Sequence, residues 1–241
     1  MNGPLDFTRN GPLYVGNKFI SIINDEYITG GGTFRTGSNT MALYEIEDLG
    51  HSKKRQNTTK LFDMLSRSQQ KELRKIAKDF NREEDSNNNE EEPILIKEKR
   101  VMDIDNLALK RKEGRWIIAI PVFSEYSHEG NGSYFYSLEE YVDYNGKVPK
   151  KLVPHNSLCV KWGEILQVVP DALDAVSSPN KDLLVVLTDN KLLVFNNPTK
   201  GLEKATTTID IEENQQIVLS QWAVGDDAGK WSETFRDYFE E

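Results

Sequence analysis

The sequence predicts a mainly β protein of antiparallel meanders, propeller-like or a sandwich, with a helical insertion near residues 58–82 and a short C-terminal helix. Three observations carry this. Short runs of aliphatic, β-branched and aromatic residues alternate with clusters of Gly, Pro, Asn and Asp along most of the chain. Residues 171–195, DALDAVSSPNKDLLVVLTDNKLLVF, read as three strands joined by two polar turns. Apolar residues at helical spacing dominate one long stretch, between residues 59 and 82.

Taken in order, the chain opens on an arm with two Asn-Gly-Pro turns, followed by a strand pair over 13–23 that breaks at Gly16-Asn17. Asn24-Asp25-Glu26 predicts a turn into Tyr27-Ile28-Thr29, and 41–46 supplies another strand. The glycine-rich stretch 30–38 lacks the Gly-Lys-Ser/Thr ending of a phosphate loop and reads as a hairpin loop. Leu61, Phe62, Leu65, Leu73, Ile76, Ala77 and Phe80 then set out a helix or helix pair with Thr58 or Thr59 as N-cap, interrupted near Ser66-Arg67-Ser68. Residues 83–92 are acidic and Asn-rich, with no apolar residue, and read as a mobile linker. Residues 50–92 thus form one helical insertion in a single β-rich domain spanning 1–241.

Strands are expected again at 94–96, 101–109 and 115–123, the last needing a bulge or an edge at Pro121. They continue at 134–144, at 147–153 after Asn145-Gly146, and at 158–162, with 164–169 prolonging that last one. In the 171–195 meander, Leu183–Leu187 has the unbroken apolar pattern of a strand buried on both faces. Further strands are expected at 205–211 and 216–224, and residues 231–239 close the chain as a helix with Trp231, Phe235 and Tyr238 or Phe239 on one face. Three strand–turn–strand places, at 22–28, 141–148 and 185–195, include turns at Asn145 and Asn190. That spacing and the central meander resemble the inner strands of propeller blades, without a Trp-Asp or Gly-His signature. The resemblance implies a blade-like sheet and assigns no functional residue.

Charge is uneven. Residues 1–120 hold 20 basic and 19 acidic side chains, whereas 121–241 hold 10 and 20, net -10. Such an acidic half steers toward a basic protein and away from nucleic acid. The basic helical stretch 51–82, net +7 from ten bases and three acids, is offset by the acidic run after it and reads as a solvated face. No run of about 18 apolar residues is present to cross a membrane, and the first residues lack the pattern of a signal peptide, so a cytoplasmic location is expected.

The single cysteine, Cys159, reads as a small core residue. With His155 four residues before it on an expected strand, it would share a face, but nothing marks the thiol as activated. The compact ligand pairs His128-Glu129 and Asp103/Asp105 lack the spacing of a metal site, so neither metal nor cofactor is expected. The Tyr-rich stretch from Tyr126 to Tyr144 suits strand packing as well as ligand stacking.

The reading these features favour is a non-enzymatic, acidic protein-binding module, of the kind that inhibits or confers immunity to a basic toxin such as a nuclease. Its expected contact residues are Asp210, Glu212, Glu213, Trp222, Asp226 and Asp227. The alternatives are an extracytoplasmic ligand-binding sensor or envelope domain whose leader was removed, and an intracellular propeller-like scaffold.

Overall fold

A computed structural model describes residues 12–16, 18–30, 33–48, 58–87, 96–128 and 133–239. The expected N-terminal arm and part of the acidic linker, 88–92, lie outside them. The chain falls into two compact units, one of Met1–Lys110 with Ile117–Pro154, the other of Arg111–Trp116 with His155–Glu241.

The first unit is built on a sheet of eight strands among the described residues, of which residues 111–112 and 115–116 fall in the second unit. Its strands are β1 (Pro12–Val15), β2 (Phe19–Gly30), β3 (Thr33–Glu45), β4 (Thr58–Thr59), β5 (Ile96–Met102), β6 (Ala108–Lys112), β7 (Arg115–His128) and β8 (Ser133–Tyr144). The order is β1-β2-β3-β8-β7-β5, with β4 on β3 and β6 on β7. Sequential hairpins are antiparallel, while β3 meets β8 in parallel through Arg35 and Tyr134. The turn expected at Asn24-Asp25-Glu26 is absent. Those residues continue β2, paired with residues 38–40, and a register shift follows between Glu26 and Ile28. The expected strand 101–109 is cut in two. Asp103 accepts the Asp105 backbone N–H at 2.8 Å and the Asn106 amide at 2.7 Å, making a side-chain turn between β5 and β6. Asp105 is also paired with Lys60 at 3.0 Å.

Pro121 sits inside β7, and the ladder to β8 shifts register one residue later, between Val122 and Phe123. Its carbonyl accepts the Asp103 N–H at 3.0 Å, at the gap between β5 and β6. The proline, which has no N–H to give, thus sits where the pairing of β7 is already interrupted.

The helical insertion is present but begins later than its apolar spacing suggests. A 3-10 turn covers Leu61–Met64, and helix α1 covers Arg67–Asn87. Ser66 is the N-cap. Its hydroxyl accepts the Gln69 N–H at 3.3 Å while the Gln69 side chain reaches back to the Ser66 N–H at 3.4 Å, a Ser-x-x-Gln capping box. Leu73 and Ala77 bury the inner face. Tyr144 donates to Glu72 at 2.8 Å, and Asn81 accepts the Met102 N–H at 2.9 Å, tying both halves of α1 to strands. Residues 83–87 of the expected linker are helical. After β8, Asn145-Gly146 ends the strand instead of turning a hairpin. Pro149 accepts the Leu152 and Val153 N–H groups in a tight turn, so residues 147–153 form no strand.

The second unit is a four-stranded antiparallel meander, β9 (Asp174–Ser177), β10 (Leu183–Leu187), β11 (Lys191–Asn196) and β12 (Thr207–Asp210), in order β12-β11-β10-β9. Of the three strand–turn–strand places, only 185–195 is a hairpin. Leu184 and Val186 are fully buried, whereas Leu183 and Val185 on the other face are half-buried, so β10 is covered unequally rather than sealed on both sides.

Where strand was expected over 158–169, the chain is irregular to Lys161 and then forms helix α2, Trp162–Val168. The segment KWGEILQVVP fits both periods, and the helix wins because Ile165 and Val169, four apart, both enter the core with Ala175, Leu184, Val186 and Phe195. Arg111 ties the unit together. It forms a bidentate pair with Asp174 at 2.7 and 2.9 Å, donates to the Ala175 carbonyl at 2.6 Å, and lies over the Trp116 ring at 5.3 Å. Both charged side chains are nearly buried.

Candidate functional site

After β12 the chain runs without regular structure through the expected strand 216–224 and ends in helix α3, Asp226–Phe239. Among the described residues no neighbouring strand is there to pair with 216–224, and its apolar residues do not alternate. This tail, together with the last residue of β12, contains every expected contact residue. Asp210 ends β12, is exposed, and lies 3.4 Å from Lys191. Glu212 and Glu213 follow in an exposed turn, beside the Asn190 carbonyl that accepts the Ile211 N–H at 2.9 Å. These acids sit at the β10–β11 turn end of the meander.

Trp222 sits at the other end. With Ala223 and Val224 it lines a shallow cleft of about 480 Å³ against Ser178, Asp182, Leu183 and Asn196. Leu183 and Asn196 face each other at the far end of the β10–β11 ladder from Lys191. The expected contact residues are therefore split, with Asp210, Glu212 and Glu213 at one end and Trp222 at the other. Asp226 and Asp227 begin α3, where carboxylates favour the helix dipole, and Asp227 pairs with Lys230 at 3.0 Å.

The feature that residue-by-residue reading left out of the site is the aromatic face of α3. Trp231, Phe235 and Tyr238 recur at helical spacing and are 40%, 56% and 80% exposed. Trp231 and Phe235 meet edge to face, with ring centroids 6.5 Å apart. Every described side chain of α3 is exposed, as are Leu219 and Val224 before it. The spacing is visible in the sequence, but whether anything covers such a face is not. Residues 201–241 carry ten acidic and three basic side chains, so the aromatic face stands in a negative field.

Among the chemistry-bearing residues elsewhere, Cys159 and Tyr144 have structural partners. The Ser177 hydroxyl accepts the Cys159 N–H at 3.0 Å and donates to Cys159 Sγ at 3.1 Å, so the cysteine is part of the meander's packing and not on a strand face with His155. His155 Nε2 is buried without a hydrogen-bond partner. Tyr144, from the Tyr-rich stretch, is buried, and burial together with Glu72 pushes its phenol up to about 12. No group of three or more His, Cys, Asp or Glu among the described residues is placed to hold a metal, and no helix among them is long and apolar enough to cross a membrane. No known family model, curated protein or solved structure matches this chain.

Proposed function

We propose that the protein is a binding module whose acidic C-terminal tail docks a basic protein, with helix α3 as the docking element. The observation that carries this reading is the exposed Trp231, Phe235 and Tyr238 on a helix surrounded by acids. An amphipathic helix of this kind suits an apolar groove with basic rims. Aromatic side chains supply most of the affinity at such contacts, and the acids raise the rate of encounter. Within this class, an inhibitor or immunity-type protein covering a basic enzyme, such as a nuclease toxin, fits the charge best.

The test is capture from the native host on the immobilised full chain, run in parallel with Trp231→Ala/Phe235→Ala and with Asp226→Lys/Asp227→Lys. One basic protein retained at low salt, lost in the aromatic variant and slowed in association by the charge reversal, is expected. If that protein degrades nucleic acid, adding the chain suppresses the activity. Retention indifferent to both variants overturns the reading.

A further inference from the structure

We propose that the exposed face of helix α1 is a docking surface for the phosphate backbone of a nucleic acid. This surface is separate from the C-terminal tail, and the proposal does not depend on that tail's role.

Charge counting alone hides the surface, because the basic stretch 51–82 and the acids after it nearly cancel. The helix separates them. Arg67, Lys71, Arg74, Lys75, Lys78 and Arg82 are all exposed, and at 3.6 residues per turn they fall within an arc of about 100°. Leu73 and Ala77 are buried on the far side, while Glu72 and Asp79 lie off the flank of the stripe. Asp85 is the first acid to return to the same arc, and it ends the stripe.

Four like-charged pairs stand four residues apart, Arg67/Lys71, Lys71/Lys75, Arg74/Lys78 and Lys78/Arg82. Each such pair weakens a helix. The first turn of α1 holds no acid and its last turn no base, the reverse of what the helix dipole favours. These charges therefore work against the helix that carries them. Arg67, Lys71, Lys75 and Lys78 make no ion pair among the described residues, Arg74 lies over the Phe62 ring at 4.9 Å, and Arg82 reaches Asp79 at 3.9 Å.

The dimensions select the ligand. From residue 67 to 82 the stripe is about 22 Å long, or about one positive charge per 4 Å of axis. One nucleic-acid strand presents a phosphate about every 3.4 Å along a duplex. A membrane-bound helix needs its apolar face in lipid, but the apolar face of α1 is buried in the protein. An acidic protein partner would need an apolar anchor, and the stripe contains none. The absence of aromatics on it also argues for backbone contact rather than base stacking.

The experiment is fluorescence anisotropy of a labelled 20-bp DNA duplex with the full chain, from 50 to 200 mM salt. With four or more phosphates contacted, affinity falls roughly a hundredfold across that range. Lys71→Gln/Lys75→Gln, which exchanges good helix formers at exposed positions, lowers the slope of log K against log salt by about 2. Lys200→Gln/Lys204→Gln leaves the slope unchanged. An equal loss in both variants overturns the proposal, because binding would then be diffuse. So does the absence of salt-dependent binding at 50 mM, or binding to phosphatidylserine vesicles without binding to the duplex.

Discussion

Helices α1 and α3 are both amphipathic, and the two units treat them in opposite ways. In α1 the apolar face is covered, with Leu73 fully buried, and the Tyr144–Glu72 and Asn81–Met102 bonds fasten its two halves. In α3 the corresponding face, Trp231, Phe235 and Tyr238, stays exposed. A helix of 14 residues is marginal on its own. Its order therefore depends on Asp226 and Asp227 at its positive end, the Asp227–Lys230 pair, and whatever the aromatic face meets. Periodicity states that a helix has two faces. It does not state which of them the fold uses and which it leaves for another molecule.

The contrast sharpens if the body of the second unit proves as firmly held as its tail is loosely held. Asp174 accepts both nitrogens of the nearly buried Arg111 and also the Gly114 N–H at 3.1 Å. Asp174→Ala leaves that guanidinium with little water and no carboxylate, a loss of about 3–5 kcal/mol. Urea unfolding measures it, and a change under about 1 kcal/mol would show that the pair is not what closes the unit.

Next in size is the anchored face of α1. Leu73→Ala opens a cavity at a fully buried site, with an expected cost of about 2–5 kcal/mol. A value near zero would place α1 alongside α3 and remove the comparison.

Much of this organisation is legible in the sequence. Turn clusters separate the strands, 3.6-residue spacing finds both α1 and α3, and Ser66-Arg67-Ser68-Gln69 spells out a capping box that weighing the apolar residues alone passes over. What is not legible depends on long-range pairing. Asn24-Asp25-Glu26 has turn chemistry but is held straight by residues 38–40 across the sheet. Trp162–Val168 has an apolar pattern fitting either period, and the core position of Ile165 decides it. Arg111 and Asp174 are 63 residues apart, and no local signal joins them. The site shows the same limit: the acids of the tail are plain in composition, yet only the register of β10 and β11 places Asp210 and Trp222 at opposite ends of the meander.

A smaller effect separates the fastening of α1 from its packing. Burial, then the bond to Glu72, pushes the Tyr144 phenol up to about 12, and burial alone does the same for Tyr14. Both folded values exceed the ordinary tyrosine value of about 10. The folded state thus holds these protons more tightly than the unfolded chain, so their contribution is intact below pH 10 and is lost as pH rises from about 10 to 12. Tyr144→Phe costs about 0.5–1.5 kcal/mol at neutral pH and flattens part of that alkaline decline. An unchanged decline would mean that the tyrosine bound to α1 does not contribute to it.

The smallest expected effect on stability belongs to α3, and it is the most informative. Trp231→Ala/Phe235→Ala/Tyr238→Ala removes three large side chains that are exposed to different degrees, Trp231 least and Tyr238 most. Surface changes of this kind usually stay within about 0.5 kcal/mol, so the urea midpoint of the protein holds while the helix itself frays further. Hydrogen exchange separates the two helices directly. Amides of α1 open only with the unit that covers Leu73, whereas those of α3 exchange through local fraying. If α3 is protected to the same degree as α1 in the isolated protein, something within the chain covers it and its aromatic face is not a docking element. If its protection rises only when a basic partner is added, the face that the fold leaves in water is the face that the partner buries.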